Sequence, residues 1–97
     1  MKLQYSFKGK LWQYPGSGGW YFISLPTKLS KEIRTALKSE EEGWGRLKAT
    51  AKIGQTQWDA AIWFDTKQNS YLLPIKKEIR LREQFNIDET REITIFI

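Results

Sequence analysis

The chain contains neither cysteine nor histidine. Without Cys there is no disulfide framework and no thiol nucleophile, a composition expected of a reducing compartment. Without His the commonest general base is missing, and a zinc site loses its usual nitrogen and sulfur ligands. Ser24, Ser30 and Ser70 therefore have no imidazole to activate them. Asp59 and Asp65 stand six residues apart and flank an expected strand. That spacing is roughly 20 Å, too far for joint acid–base work. No run approaches the ~20 apolar residues of a membrane span. The first eight residues alternate apolar and polar where a signal peptide would carry an apolar block. Residues 14–19, Tyr-Pro-Gly-Ser-Gly-Gly, are glycine-rich but lack the Gly-Lys-Ser/Thr ending and the following helix of a phosphate loop, and read as a hairpin loop. These absences lead us to expect a cytoplasmic, non-catalytic protein with no metal, no cofactor and no membrane partner.

What is present is bulky and periodic. The 97 residues are expected to form a single domain, 1–97. Apolar residues make up 40%, and five Trp, four Tyr and five Phe supply core material. One phrase occurs twice: Leu25-Pro26-Thr27-Lys28-Leu29-Ser30-Lys31-Glu32-Ile33-Arg34 returns, two residues shorter, as Leu73-Pro74-Ile75-Lys76-Lys77-Glu78-Ile79-Arg80. Each copy follows a short aromatic-rich run, and each proline is suited to end a strand and open a helix.

Around these phrases the chain reads as alternating strands. Residues 3–11 place Leu3, Tyr5, Phe7 and Leu11 on one face and lysines on the other. Residues 20–25 are apolar on both faces and so are expected to be covered. A helix follows with Leu29, Ile33 and Leu37 as its inward stripe, capped by Thr27 or Ser30 and closed near Gly43. Residues 46–53 point Leu47, Ala49, Ala51 and Ile53 inward; the small alanines imply a large neighbour, a Trp. Residues 57–64 and 70–73 are two further strands. Residues 76–85 read as a second helix with Ile75, Ile79, Leu81 and Phe85 inward, and 92–97 as the last strand. The order is ββαβ twice. The expected fold is mostly β: two pseudo-repeated units, 1–53 and 54–97, closing one six- or seven-stranded barrel with two short helices, which removes exposed edges.

Three stretches carry a family resemblance. Residues 19–26 (Gly-Trp-Tyr-Phe-Ile-Ser-Leu-Pro), 43–49 (Gly-Trp-Gly-Arg-Leu-Lys-Ala) and 71–77 (Tyr-Leu-Leu-Pro-Ile-Lys-Lys) resemble the small bacterial proteins grouped as domain of unknown function 1905. The resemblance implies a compact β-barrel with two short helices and no assigned activity. The chain departs from the family pattern where Trp58 is followed by Asp59-Ala60-Ala61, and where residues 88–91 lack a glycine. Each half is also similar in outline to the swapped-hairpin units of AbrB/MazE-type regulators and antitoxins, which build DNA-binding barrels from two chains.

Charge suggests what such a barrel would meet. Residues 1–48 hold nine Lys/Arg against four Glu, while 49–97 hold seven of each sign. A basic half suits a polyanion, and the cations expected to face outward are Lys8, Lys10, Arg46, Lys48, Lys52, Lys76, Lys77 and Arg80. Trp12, Tyr14 or Trp63, if exposed, would stack on unpaired bases. The first functional expectation is therefore a binding domain that contacts nucleic acid or another polyanion, as a monomer or homodimer. The second is an aromatic pocket at one barrel mouth, formed by Trp20, Trp44, Trp58 and Tyr71 near Lys76, for a small anionic ligand. The third is a protein–protein interaction module.

Overall fold

The computed structural model describes residues 3–43 and 45–97. Among these residues, six strands and two helices follow in the order β1 (Gln4–Gln13), β2 (Tyr21–Ser24), α1 (Thr27–Leu37), β3 (Arg46–Ile53), β4 (Thr56–Asp65), β5 (Ser70–Pro74), α2 (Lys77–Glu83) and β6 (Thr90–Phe96). A single 3-10 turn, Lys38–Glu40, extends α1. The strands close one antiparallel barrel in the order β1-β2-β5-β4-β3-β6. Of the two barrel sizes expected, the six-stranded one forms. Exchanging β1, β2 and β3 with β4, β5 and β6 leaves that circular order unchanged.

Two long ladders dominate the wall. β3 and β4 pair from Arg46↔Trp63 to Ile53↔Thr56, and β1 and β6 from Gln4↔Phe96 to Lys10↔Thr90. The other four seams, β1–β2, β2–β5, β4–β5 and β3–β6, are three pairs each. Where a seam stops, the strands splay. β4 meets β5 only from Trp63 to Asp65, so its earlier half lies unpaired on the side of Pro74 and Lys76.

The period of two sets the inner row. Phe7, Leu11, Ile23, Leu47, Ala51, Ile53, Ile62, Tyr71, Leu73, Ile93 and Ile95 are buried, and Leu25, Ile33, Ile75, Ile79 and Phe85 join them from the loops and helices. Ala51 lies opposite Trp58, the large neighbour that the small residue implied. Gly9 occupies the inner row between Phe7 and Leu11, where an added Cβ would collide with the side chain of Ile23. Burial on this scale, at ~25 cal/mol per Å² of apolar surface, is what closes so small a chain.

Two local expectations need correction. Leu81 is 67% exposed, not inward. It stands two residues from the buried Ile79, and a two-residue step turns about 200° around a helix. Phe85 reaches the core by another route: Gln84 takes a left-handed conformation, φ 51°, and the Phe85 N–H bonds the Arg80 carbonyl as the helix ends. The second correction concerns the α1 cap, because no side chain caps its N-terminus. Ser30 is instead fully buried, and its Oγ accepts the Tyr71 N–H at 3.0 Å, fastening α1 to β5. Beyond α1, Glu41 is tied to the barrel. Glu41 accepts a hydrogen bond from the Tyr71 hydroxyl and lies 3.8 Å from Arg34, whose guanidinium sits 3.8 Å from the Phe64 ring centre.

Among the described residues, no helix is long and apolar enough to cross a membrane.

Candidate functional site

Alternation that fills the core also builds the outer wall. On β2 and β5 the outward positions are Phe22, Leu72 and Pro74, and on β4 they include Trp63. Trp20, just before β2, falls in phase with Phe22. These side chains, with Tyr14 from the β1–β2 loop, line a groove of about 550 Å³ that Lys76 borders. Its walls are almost wholly apolar, yet Trp20, Tyr14 and Trp63 are 55%, 49% and 43% exposed. Large contiguous apolar exposure of this kind marks an interaction surface more often than a bare wall.

The rings are held in place. Trp20 lies parallel to Phe22, with ring centres 5.9 Å apart and 6° between planes. Trp12 packs on Phe22 at 5.4 Å and Tyr14 meets it edge-on at 6.5 Å. The Trp12 indole N–H donates to Ser24 Oγ at 3.0 Å. Trp12 is thus half-buried support, while Tyr14 and Trp63 are the exposed rings of the three for which stacking was expected.

Two further clefts adjoin the groove. One, of about 570 Å³, opens where β4 leaves β5; Arg46, Lys48 and Lys76 line it, with Asp59, Ala61 and Phe96. The other, of about 390 Å³, lies between the β1–β2 loop and α2; Gly18, Gly19, Lys76, Lys77 and Arg80 line it. Pro74 and Lys76 border all three spaces.

The cations of this face are not equivalent. Arg46 donates to Glu42 at 2.7 Å and lies 5.7 Å from the Trp63 ring centre. Lys48 is 3.9 Å from the same Glu42. Their charge is partly answered within the protein. Among the described residues, Lys76, Lys77 and Arg80 have no carboxylate at salt-bridge distance. Arg80 lies over Tyr21, its Cζ 3.6 Å from the ring centre, and donates Nε–H to the Ile75 carbonyl.

The remaining expected residues fall elsewhere. Lys8 and Lys10 stand on β1 opposite Glu92 and Thr90 and do not line the groove. Lys52 pairs with Thr94 on the other side of β3 and borders a separate cleft with Arg91 and Glu92. The four aromatics assigned to a barrel mouth do not form one pocket. Trp20 is on the outer wall, while Trp58 packs against the core and lines the cleft of about 570 Å³ that Lys76 also borders. Tyr71 is fully buried, and Trp44 lies outside the described residues. Burial, then the hydrogen bond to Glu41 and the nearby carboxylate charge, push the Tyr71 phenol well above the usual tyrosine range; Arg34 opposes this weakly. Sequence reasoning missed Phe22 and Leu72 as groove residues. Their signal lies in the apolar outer row of residues 20–25, which reads as a covered strand, and in Leu72 within residues 70–73. Among the described residues, no group of three or more His, Cys, Asp or Glu is placed to hold a metal ion.

The model for the family described as domain of unknown function (DUF1905) matches residues 7–95, and the chain belongs to that family. None of the curated proteins matches the chain.

Proposed function

We propose that this protein is a cytoplasmic, non-catalytic binding domain that holds unpaired nucleic acid on its outer wall, and that its two ββαβ halves are an internal repeat. The observation that carries the binding reading is the meeting of an exposed aromatic groove with two cation-lined clefts at Pro74 and Lys76. Aromatic platforms beside cations are the working parts of sequence-tolerant single-strand recognition: bases stack and phosphates pair. Duplex DNA hides its base faces and offers such rings nothing to stack on. The groove is an open trough of outward-facing side chains, while the barrel interior is taken up by packed aliphatic and aromatic residues. That favours a strand laid along the wall over a small molecule enclosed in the barrel.

The test is tryptophan fluorescence of the whole chain with an oligothymidylate of roughly eight nucleotides, a length within the usual site sizes of such folds. Acrylamide should quench Trp20 and Trp63, and the oligonucleotide should protect them at low salt only. With three phosphate contacts, log affinity should fall with log salt with a slope of about −2. Absence of protection at low salt, or protection indifferent to salt, would overturn the reading.

A further inference from the structure

The cleft between the glycine loop and α2 differs from the rest of the face. It is lined by Lys76, Lys77 and Arg80, and no acidic side chain lines it. Its other wall is bare backbone at Gly18 and Gly19, with φ of 103° and 64°, values that side-chain-bearing residues rarely adopt. A Cβ at Gly18 would press on the Trp20 ring at 3.1 Å, so glycine there also lets the indole keep its position.

Arg80 is the cation of the three that the protein itself contacts. The Tyr21 ring beneath it and the Ile75 carbonyl at Nε restrain its guanidinium. A guanidinium fixed through its face and Nε retains its terminal nitrogens for a planar, two-point contact with phosphate oxygens. Trp20 lines both this cleft and the aromatic groove. A base stacked at Trp20 would therefore have its own phosphate within reach of the cleft.

Resting on the proposed function, we infer that this cleft takes the phosphomonoester of a nucleotide whose base lies against Trp20. A phosphomonoester carries more negative charge than an internal diester and has three terminal oxygens to share, which suits three cations without an internal acid. That chemistry has two sources, the phosphorylated end of a strand and a free nucleotide.

The experiment compares, on the whole chain at low salt, a 5′-phosphorylated and an unphosphorylated oligothymidylate of equal length, together with thymidine 5′-monophosphate and thymidine. The phosphorylated strand should bind about tenfold tighter, the effect of one charge-assisted contact. Arg80→Gln should abolish that difference, so that the variant binds the two strands equally. Lys77 is exposed, so Lys77→Gln gives a second reading should loss of the Arg80–Tyr21 contact disturb folding; it should reduce the difference by about half on a logarithmic scale. Equal affinity for the two strands overturns the phosphate cleft and leaves strand binding standing. Binding of the monophosphate but not thymidine, with no strand binding, keeps the cleft for a free nucleotide and overturns the proposed function. Binding of none of them overturns both.

Discussion

The hydroxyl of Tyr71, a side chain with no exposed surface, donates to the carboxylate of Glu41, thirty residues earlier in the chain. The bond draws the end of α1 onto the barrel where β4 and β5 meet, with Phe64 edge-on to the phenol at 5.1 Å. Tyr71→Phe should keep the packing and lose the bond. The expected cost is about 1.5–3 kcal/mol, the range for a hydrogen bond to a charged partner, read as a lower urea midpoint with unchanged slope. The same pair sets a pH dependence. The folded-state phenol is held protonated, above its unfolded value of about 10. Its contribution is therefore fully present below pH ~10 and is lost as pH rises beyond that, toward the raised folded value. The wild type should lose more stability than Tyr71→Phe on going above pH ~10. Parallel curves for the two proteins would exclude the linkage.

Ser30→Ala should be more damaging than its size suggests. The Tyr71 N–H would lose its buried acceptor, at about 1–3 kcal/mol. Thermal unfolding gives the check, with a fall in Tm of several degrees for a domain of this length. Thr27→Ala, at the other residue considered as a cap, should change stability by no more than ~0.5 kcal/mol, because no side-chain cap exists there.

Among the cations, position decides the effect. Lys76→Gln with Lys77→Gln should weaken oligonucleotide binding and flatten the salt slope by about 1.4, at roughly 0.7 per contact on a single strand. Lys8→Gln with Lys10→Gln removes the same charge from β1, away from the groove, and should leave the slope unchanged. The pair Lys48→Glu and Lys52→Glu should act through Lys48, which lines the cleft, since Lys52 borders a different one. Salt titrations of the three double variants separate these outcomes; equal slopes throughout would place the strand elsewhere.

Trp63→Ala should reduce strand affinity by about 1–3 kcal/mol per stacked base while hardly affecting stability, since the ring is already 43% exposed. Trp58→Ala should chiefly cost stability, because Trp58 packs against the core opposite Ala51. Isothermal binding and urea unfolding on both variants form the comparison.

Much of the scaffold could be read directly from the residues. The twice-written Leu-Pro phrase located both helices, and strand alternation located the inner row of Leu47, Ala51 and Ile53. The small Ala51 announced a large partner, which is Trp58. Leu81 misled because an apolar residue in a short helix was assigned inward without regard to its angle from Ile79. The left-handed Gln84 that brings Phe85 inside leaves no clear mark in composition. Of the site, the cations Arg46, Lys48, Lys76, Lys77 and Arg80 were named beforehand, and so were Trp20, Tyr14 and Trp63. Their grouping was not.

The sequence by itself determined which positions share a face along most of the strands, because side-chain alternation and proline stops are local properties of the backbone. It also determined that a chain with no His and no Cys would carry neither a thiol nor an imidazole. Only the tertiary structure decided which outward residues are neighbours. Trp20 and Trp63 are 43 positions apart and share a groove because β2 pairs with β5 and β5 with β4, an order set by closure of the whole barrel. The short β4–β5 seam opens the cleft beside Lys76, and the Glu42 carboxylate answers Arg46 and Lys48 but not Lys76, Lys77 or Arg80. Those are long-range facts of pairing and charge, and no local pattern in the chain encodes them.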